Sequence, residues 1–359
     1  MARTAASTAD PPTDGGHGFH PLRVTSVVRE TAEASSFVLE PPAALESAFA
    51  YEAGQFCTFR VAVDGDTHLR CYSMSSAPEV DDDLKVTVKR VPGGLVSNWM
   101  NDVLQPGDVV EATRPAGVFR LTADDADVVA FAGGSGITPV LSLVKAALAT
   151  TSRRVRLLYA NRDAEVVIFA AELGELAERY PGRLDVVHNL DTVHGFVTAD
   201  LVRPYVDASP DGSFYVCGPG PFMDIVESTL LAHGVEAGRV LIERFVTPAA
   251  PGPPAEPQPA DEPGPPATRV TIRLDGRSES TDHRPGTTIL QTARQMGMAA
   301  PFSCESGSCA TCMAKLVEGE AEMFTNNALT DDEVVDGWVL TCQAVPTSPT
   351  VHVVYGYEE

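Results

Sequence analysis

Four cysteines in the last third of the chain have the spacing of an iron–sulfur site. They follow the pattern Cys304-x4-Cys309-x2-Cys312-x29-Cys342. Two irons bridged by sulfide need four thiolates in a small volume, and this spacing is typical of a plant-type [2Fe–2S] cluster. Such a cluster accepts one electron at a time, so the spacing predicts a protein that transfers electrons.

The residues around these cysteines favour the cluster over other sulfur sites. The first three cysteines lie in the loop PFSCESGSCATC, where Gly307 can adopt a positive φ and small side chains let backbone N–H groups point at sulfur. Cys342 comes from a separate segment, VLTCQ. A zinc site usually has two C-x2-C pairs, and here only Cys309 and Cys312 form one. A disulfide pair is the other alternative. A Rieske centre needs two histidine ligands, and no C-x-H motif is present.

Composition excludes some classes of partner. The chain has 359 residues, enough for two or three domains, and a formal net charge of −23. This charge disfavours binding to nucleic acid, so we expect no nucleic-acid partner. The acidic residues are spread along the chain, which is typical of a solvated surface.

Cysteine usage and hydropathy predict the compartment. Beyond the four predicted ligands, Cys57, Cys71 and Cys217 remain, and an odd remainder favours a reducing environment. The N-terminal residues contain no apolar stretch typical of a signal peptide. No apolar run approaches the roughly 18 residues that a membrane span needs. We therefore expect a cytoplasmic monomer with no membrane partner.

Changes in pattern along the chain predict several domains. Residues 1–18 are expected to form a disordered tail. Short β-rich segments separated by turns in 19–122 predict an antiparallel barrel, and alternating strands and helices in 123–247 predict a parallel sheet. Nine of the twenty residues of 248–267 are proline, which predicts a linker. The cysteines lie in a final domain, 268–359. The predicted fold class is multidomain, β plus α/β plus α+β.

Three further motifs, read in order with the cysteines, resemble one family. They are Arg70-Cys71-Tyr72-Ser73-Met74-Ser75, Gly133-Gly134-Ser135-Gly136-Ile137-Thr138-Pro139 and Cys217-Gly218-Pro219-Gly220-Pro221-Phe222-Met223. The chain resembles the ferredoxin–NADP reductase superfamily, in the branch with a C-terminal plant-type ferredoxin domain. The resemblance covers nearly all of the chain outside the tail and the linker. It implies an FAD-binding β-barrel, a parallel-sheet NAD(P)-binding domain and a β-grasp-like [2Fe–2S] ferredoxin domain.

The first motif is expected to bind FAD. The guanidinium of Arg70 has the forked geometry that binds a diphosphate, and Tyr72 offers an aromatic face to the flavin or the ribityl chain. The resemblance assigns the hydroxyl of Ser73 to the N5 region of the flavin, where hydride arrives. A surface charge at Arg70 and a core aromatic at Tyr72 are the alternatives. The remaining residues expected to contact FAD are Met74 and Ser75 of the same motif and Gly94, Val96 and Ser97 of a diphosphate-binding turn.

The second motif is expected to bind the nicotinamide nucleotide. Gly133, Gly134 and Gly136 precede a predicted helix, where backbone N–H groups attract a phosphate. The motif lacks the G-x-G-x-x-G spacing, so this interpretation depends on the resemblance, which also places Thr138 at the edge of the flavin. Arg162 follows the next strand and could bind the adenosine phosphate of NADP. The alternative for Arg162 is a solvated strand end, and the choice between NADH and NADPH stays open.

The third motif follows a strand whose carboxyl end is a typical ligand position in an open α/β sheet. The resemblance places Cys217 beside the nicotinamide ring, and the alternative is a buried small hydrophobic residue. Ser73, Cys217 and Glu243 are the expected catalytic residues. The other expected contacts with the cofactors are Gly218, Phe222, Met223 and Phe245.

The family resemblance implies a reductase component of a multicomponent oxygenase. Electrons are expected to pass from NAD(P)H through FAD and the cluster to a terminal oxygenase. The most similar group contains the reductases of 3-ketosteroid 9α-hydroxylase, with a Rieske partner, and of phenylacetyl-CoA epoxidase, with a diiron partner. A redox-sensing interaction module that binds FAD and the cluster without turnover is the alternative outside enzymes.

Overall fold

The computed structural model describes residues 19–63, 65–245, 268–274, 276–298, 300–302, 307, 310–326 and 328–355. The chain divides into two compact units between Phe245 and Val246. The predicted tail, 1–18, and the predicted linker, 248–267, lie outside the described residues.

An antiparallel sheet of six strands forms the first part of the N-terminal unit. Alternate residues such as Phe37 and Leu39, or Val86 and Val88, point into one buried apolar core, as the two-residue period of a strand requires. The strand order is β4-β3-β6-β1-β2-β5. The strands are β1 His20–Thr31, β2 Ala34–Glu40, β3 Phe56–Val63, β4 Asp66–Ser73, β5 Leu84–Lys89 and β6 Val109–Ala112.

The two edge strands of this sheet meet, so the sheet closes into the predicted barrel. Met74, just after β4, forms an antiparallel bridge with Val86 of β5. The next residue, Ser75, donates its backbone N–H to the carbonyl of Lys85 at 2.7 Å. Closure removes the unpaired edges of the sheet. Helix α1, Leu95–Val103, packs its buried apolar side chains into the barrel core.

A parallel sheet follows, with strand order β11-β10-β7-β8-β9. Along β7, Val129 and Phe131 belong to one apolar cluster, whereas Ala130 and Ala132 belong to another. Both faces of the sheet are therefore covered, as expected for parallel strands joined by helices. The strands are β7 Val128–Gly133, β8 Val155–Asn161, β9 Leu184–Leu190, β10 Ser213–Cys217 and β11 Val240–Glu243. The helices are α2 Ile137–Thr150, α3 Ala170–Arg179, α4 Asp191–His194, α5 Ala199–Ala208 and α6 Gly220–Ala232.

One helix of this sheet begins later than the sequence predicts. The sequence pattern predicts a helix around 164–180, but a 3₁₀ turn at Ala164–Val166 is separated from α3. Phe169 lies between them with a φ of 62°. Val167, Ile168 and Phe169 are all buried in the apolar core beside α2. The positive φ of Phe169 interrupts the helical backbone where these side chains enter the core, so tertiary packing overrides local helix propensity here.

The C-terminal unit combines a mixed sheet with short helices, as predicted for the last domain. Strands β12 and β18 are parallel, and the strand order is β13-β12-β18-β14-β16. Strands β15 and β17 pair separately. The strands are β12 Arg269–Leu274, β13 Arg277–Asp282, β14 Met313–Glu318, β15 Ala321–Met323, β16 Trp338–Leu340, β17 Ala344–Pro346 and β18 Thr350–Val354. The helices are α7 Ile289–Gln295, which is buried against the sheet, and α8 Asp331–Val335.

The predicted antiparallel barrel, parallel sheet and α+β domain are thus confirmed. The boundaries at 122/123 and 247/248 stay predictions. No helix among the described residues is both long and apolar enough to span a membrane.

The barrel and the parallel sheet pack together through helix α2. Ala34, Ala53 and Phe119 of the barrel belong to the same buried cluster as the apolar side chains of α2. At the centre, the hydroxyl of the fully buried Ser142 donates to the carbonyl of Ser76 at 2.6 Å. It also accepts from the backbone N–H of Gly54 at 3.2 Å. One side chain of α2 therefore satisfies two backbone groups of the barrel.

Replacing Ser142 with alanine should destabilise the N-terminal unit. The change leaves two buried backbone groups without a partner, and each such loss typically costs about 1–3 kcal/mol. Urea denaturation of the full chain measures the effect. The matched control is Ser228→Ala on α6, which removes an exposed hydroxyl bonded within its own helix to Ile225. Equal urea midpoints for the two variants would contradict the role of Ser142.

Candidate functional site

Arg70, Tyr72 and Ser73 lie close together at the end of strand β4, but their side chains have different surroundings. Arg70 is half-buried and donates to the carbonyl of Leu69 at 2.7 Å. Within the described part of the chain, its guanidinium forms no ion pair with a carboxylate. Tyr72 packs against the barrel core, with its ring centroid 5.7 Å from that of Phe59. Arg70 therefore retains the charge that binding a diphosphate requires.

Ser73 has a buried hydroxyl without a partner. Its side chain is 2% exposed, and its Oγ makes no hydrogen bond to any described residue. A buried polar atom in this state costs about 1–3 kcal/mol, which favours a ligand that completes its hydrogen bonding. The predicted contact between Ser73 and FAD fits this observation, and it stays a prediction.

The serine two residues further on is fully hydrogen-bonded. Because Met74 points into the barrel core, its neighbours Ser73 and Ser75 point to the opposite face. The Ser75 hydroxyl lies 2.7 Å from that of Thr87, which lies 2.7 Å from that of Ser36. Ser36 in turn donates to Glu30 at 2.5 Å. Ser73 and Ser75 therefore differ sharply, and only Ser73 lacks a partner among the described residues.

The predicted diphosphate turn lies at the N-terminus of α1. The Ser97 hydroxyl accepts from the backbone N–H of Val91 at 3.1 Å, so it stabilises its own turn. Val96 is buried in the barrel core. A Cβ at Gly94 would lie 2.7 Å from the Ser97 hydroxyl, so this position requires glycine. Any contact of this turn with a diphosphate would come mainly from its backbone N–H groups.

The glycine loop after β7 and the loop after β10 are in direct contact. A Cβ at Gly136 would lie 2.1 Å from the carbonyl oxygen of Cys217. A Cβ at Gly133 would lie 2.7 Å from Pro219 and 3.2 Å from Phe222. Glycine at these positions therefore lets two loops meet at the carboxyl edge of the sheet. Gly134 differs, because the nearest atom to its Cβ position is the Lys89 ammonium of the barrel at 3.7 Å.

Cys217 is fully buried at the end of β10. Burial raises the pKa of its thiol well above the ordinary value, and the charge of Glu243 adds to this effect. The thiol is therefore protonated at neutral pH and is not a thiolate nucleophile. Glu243 is the register partner of Cys217 on the neighbouring strand β11, so these two predicted catalytic residues lie side by side.

The remaining predicted residues of this domain have different surroundings. Thr138 is buried, and its hydroxyl donates to the carbonyl of Ser135 at 3.0 Å. Met223 is buried in the core beneath α6, whereas Phe222 packs beside the predicted nucleotide loop. Phe245 is 39% exposed just beyond β11. Gly218 lies opposite Gly133, since a Cβ on it would lie 3.0 Å from the Gly133 Cα.

Arg162 follows β8 and is held between two carboxylates. It donates to Asp163 at 2.8 Å and to Glu33 at 3.0 Å. The hydrogen bond from Arg162 lowers the pKa of Asp163, so this carboxylate is ionised at neutral pH. Glu33 lies in the turn between β1 and β2, and its other oxygen lies 3.8 Å from the Lys89 ammonium. Glu33 and Lys89 could not be identified from the sequence, because no local motif marks a contact such as that of Glu33 with Arg162, 129 positions away.

A polar cavity of about 650 Å³ lies elsewhere between the barrel and helix α3. Its lining includes Lys145, which is 5% exposed and paired with Asp81 at 3.0 Å and with Glu172. None of the predicted site residues lines this cavity. Because it shares no residue with the predicted cofactor site, the cavity is separate from that site.

In the C-terminal unit, the structure describes two of the four predicted cluster ligands. Cys312 precedes β14 and is 2% exposed, and Cys342 follows β16 and is 7% exposed. The two strands are antiparallel neighbours, with Met313 opposite Leu340, so the two thiols belong to adjacent segments. Cys304 and Cys309 lie outside the described residues. Among the residues that are described, no group of three metal-ligating side chains is present.

The described part of the cysteine loop has an unusual backbone. Gly307 has a φ of 76°, and a Cβ there would lie 2.5 Å from the carbonyl oxygen of Thr325. Ala310 has a φ of 52°, which is uncommon for a residue with a Cβ. Strained backbone of this kind is frequent at ligand-binding sites. With two buried thiols nearby, these features fit a loop that wraps a cluster.

Family models match all three parts of the chain. An oxidoreductase FAD-binding domain matches residues 21–121, an oxidoreductase NAD-binding domain matches 131–228, and a 2Fe-2S iron-sulfur cluster binding domain matches 272–347. FAD, a nicotinamide nucleotide and a [2Fe–2S] cluster are therefore the cofactors of this chain.

Several characterised proteins are similar over almost their whole length. The ferredoxin reductase component of 3-ketosteroid-9-alpha-monooxygenase from Rhodococcus rhodochrous is 40% identical, over 91% of this chain and 94% of that protein. One of the subunits of 1,2-phenylacetyl-CoA epoxidase from Escherichia coli is 30% identical, over 93% and 97%. The solved structure of phthalate dioxygenase reductase is 28% identical with a TM-score of 0.56, over 94% of this chain and 98% of that chain.

The order of the three domains and the similarity along the whole chain lead to one conclusion. This protein belongs to the family of flavin and iron–sulfur reductases that serve as the reductase components of multicomponent oxygenases.

Proposed function

We propose that this chain takes electrons from NADH and delivers them to a Rieske oxygenase that hydroxylates a 3-ketosteroid. The 40% identity to a 3-ketosteroid-9-alpha-monooxygenase reductase component supports the substrate class, against 30% for the epoxidase relative. We further propose that it acts as a monomer in a reducing cytoplasm. The buried free thiols of Cys57 and Cys217 support that compartment.

The observation that best supports electron transfer through a flavin is the unpartnered hydroxyl of Ser73. In this proposal, Arg70 holds the FAD diphosphate, and Ser73 donates a hydrogen bond to the flavin ring. FAD, when bound, supplies the conversion between a two-electron donor and a one-electron acceptor. The backbone of the Gly134 loop binds the nucleotide diphosphate. Cys217, which is neutral and buried, would exclude water from the place where the nicotinamide and the flavin meet.

Loss of a cysteine ligand should affect cytochrome c reduction but not ferricyanide reduction. Replacing Cys312 with serine should abolish the cluster, since a thiolate ligand is lost. Reduction of cytochrome c by NADH should then fall by about tenfold or more, because that acceptor takes electrons from the cluster. Reduction of ferricyanide, which takes electrons from flavin, should stay close to wild type. Iron content and visible absorbance check the loss, and an intact cluster in this variant would contradict the assignment of Cys312.

The surroundings of Arg162 favour NADH over NADPH. The 2′-phosphate of NADPH carries nearly two negative charges, and it would approach a guanidinium already paired with Asp163 and Glu33. An acidic group at the end of the second strand is also the usual partner of an unphosphorylated ribose. The two carboxylates therefore repel the phosphate and offer acceptors to the ribose hydroxyls.

Neutralising Glu33 should relax this preference. In Glu33→Gln, Arg162 loses one charged partner, so kcat/KM for NADPH should rise by about fivefold while that for NADH changes little. Steady-state kinetics with both nucleotides measure the ratio. Glu111→Gln is the matched control, because it removes the carboxylate that pairs with Arg60 at 2.7 Å on the same barrel. A wild-type preference for NADPH would refute the proposal.

The partner can be tested by reconstitution. The purified chain should support NADH-dependent hydroxylation of a 3-ketosteroid when mixed with a Rieske oxygenase of that specificity. The Cys312→Ser variant is the control that retains flavin reduction. Coupling to a diiron epoxidase acting on phenylacetyl-CoA, without coupling to the steroid oxygenase, would favour the alternative supported by the Escherichia coli relative. Absence of any turnover at full FAD and iron occupancy would favour a redox-sensing module.

A further inference from the structure

Thr341, the residue before Cys342, has every polar group hydrogen-bonded. It is fully buried. Its backbone N–H and its hydroxyl both donate to the carbonyl of Cys312, at 3.2 Å and 2.7 Å. Its own carbonyl accepts from the backbone N–H of Leu290 on α7 at 2.9 Å. One threonine therefore joins the backbones of two proposed cluster ligands and connects both to the helix.

The hydroxyl of Thr341 has a second partner, Tyr355. The Tyr355 hydroxyl lies 2.8 Å from Thr341 Oγ1. Because the single hydroxyl proton of Thr341 is used toward Cys312, Tyr355 must be the donor in this bond. Tyr355 is 4% exposed and directly follows β18, and its backbone N–H donates to the carbonyl of Arg273 on β12 at 2.9 Å. The backbone of Tyr355 is thus held by the sheet, and its ring is buried.

We propose that Tyr355 and Thr341 are positioning residues for the iron–sulfur cluster. The Tyr355 hydroxyl orients that of Thr341, which holds the Cys312 segment against the Cys342 segment. The proposal rests on the assignment of these two cysteines as ligands. It goes beyond that assignment, because neither residue is a ligand and Tyr355 lies 13 positions beyond Cys342 in the chain.

The direction of the hydrogen bonds gives the proposal an electrostatic consequence. Both O–H dipoles point their hydrogen toward the Cys312 carbonyl, first from Tyr355 to Thr341 and then from Thr341 to the carbonyl. Hydrogen bonds and dipoles around the ligands of a cluster tune its reduction potential. Removing the Tyr355 hydroxyl should therefore shift the reduction potential of the cluster.

The experiment uses the full chain with its cofactors and measures two properties of the cluster. One is the rate at which a chelator bleaches its visible absorbance, and the other is its midpoint potential in a redox titration followed by electron paramagnetic resonance. Tyr355→Phe keeps the ring and its packing but removes one hydrogen bond. We expect cluster loss about fivefold faster than in wild type, together with a shifted potential.

A double variant tests whether Tyr355 acts through Thr341. Thr341→Val should accelerate cluster loss further, whereas Thr341→Ser, which keeps the hydroxyl, should remain near wild type. Adding Tyr355→Phe to Thr341→Val should change little, because the tyrosine has lost the group through which it acts. Fully additive effects of the two substitutions would overturn the proposed relay.

A matched control removes a hydroxyl pair elsewhere in the same unit. Thr271 on β12 lies 2.8 Å from Ser280 on β13, and Thr271→Val should leave cluster loss and potential unchanged. If Tyr355→Phe also leaves both unchanged while Cys312→Ser destroys the cluster, the positioning role is wrong and the ligand assignment stands. A normal cluster in Cys312→Ser would overturn the ligand assignment and this proposal together.

Discussion

The close contact between two loops at the carboxyl edge of the parallel sheet is the constraint on which the proposed site depends. The carbonyl of Cys217 occupies the position that a Cβ of residue 136 would need. Only glycine permits this approach, so the N-terminus of α2 lies directly against the end of β10. A nucleotide bound on the glycine loop would therefore contact the Cys217 loop without any rearrangement of the sheet. The same helix carries Ser142, which holds the barrel, so one element aligns both proposed cofactor-binding surfaces.

Ion pairs also connect the barrel to the parallel sheet. Glu33 in a turn of the barrel pairs with Arg162 of the parallel sheet and approaches Lys89 beside the glycine loop. Exposed ion pairs contribute little to stability, typically below about 1 kcal/mol. Under the proposed function, these ion pairs act on the choice of nucleotide, because they set the charges that the ribose or its phosphate would contact. The net charge of −23 means that carboxylates outnumber cationic side chains. In this region Arg162 and Lys89 already lie beside a carboxylate.

Much of the architecture could be predicted from sequence because its signals are local. The cysteine spacing, the two glycine-containing motifs and the change from short strands to alternating strands and helices each occupy a continuous stretch. The start of α3 could not be predicted, because the backbone at Val167, Ile168 and Phe169 depends on how these side chains pack into the tertiary core. Glu33 was missed for a related reason, since its partner is distant in sequence. Gly136 was expected to approach a phosphate, yet its nearest neighbour is the backbone of Cys217.

Two hydroxyls in this chain show how hydrogen bonding can separate a binding group from a supporting one. Ser73 is buried and its hydroxyl has no partner among the described residues, so a ligand can form the hydrogen bond that this hydroxyl lacks. Thr341 is equally buried and has its donors and acceptors filled, so it has nothing left to offer a ligand and instead fixes the backbone around it. The flavin-binding domain must leave hydrogen-bonding groups open to its cofactor. The ferredoxin domain must hold the backbone of its proposed cysteine ligands in one geometry while electrons enter and leave, and small rearrangement favours rapid transfer. The contrast between Ser73 and Thr341 follows from these different requirements.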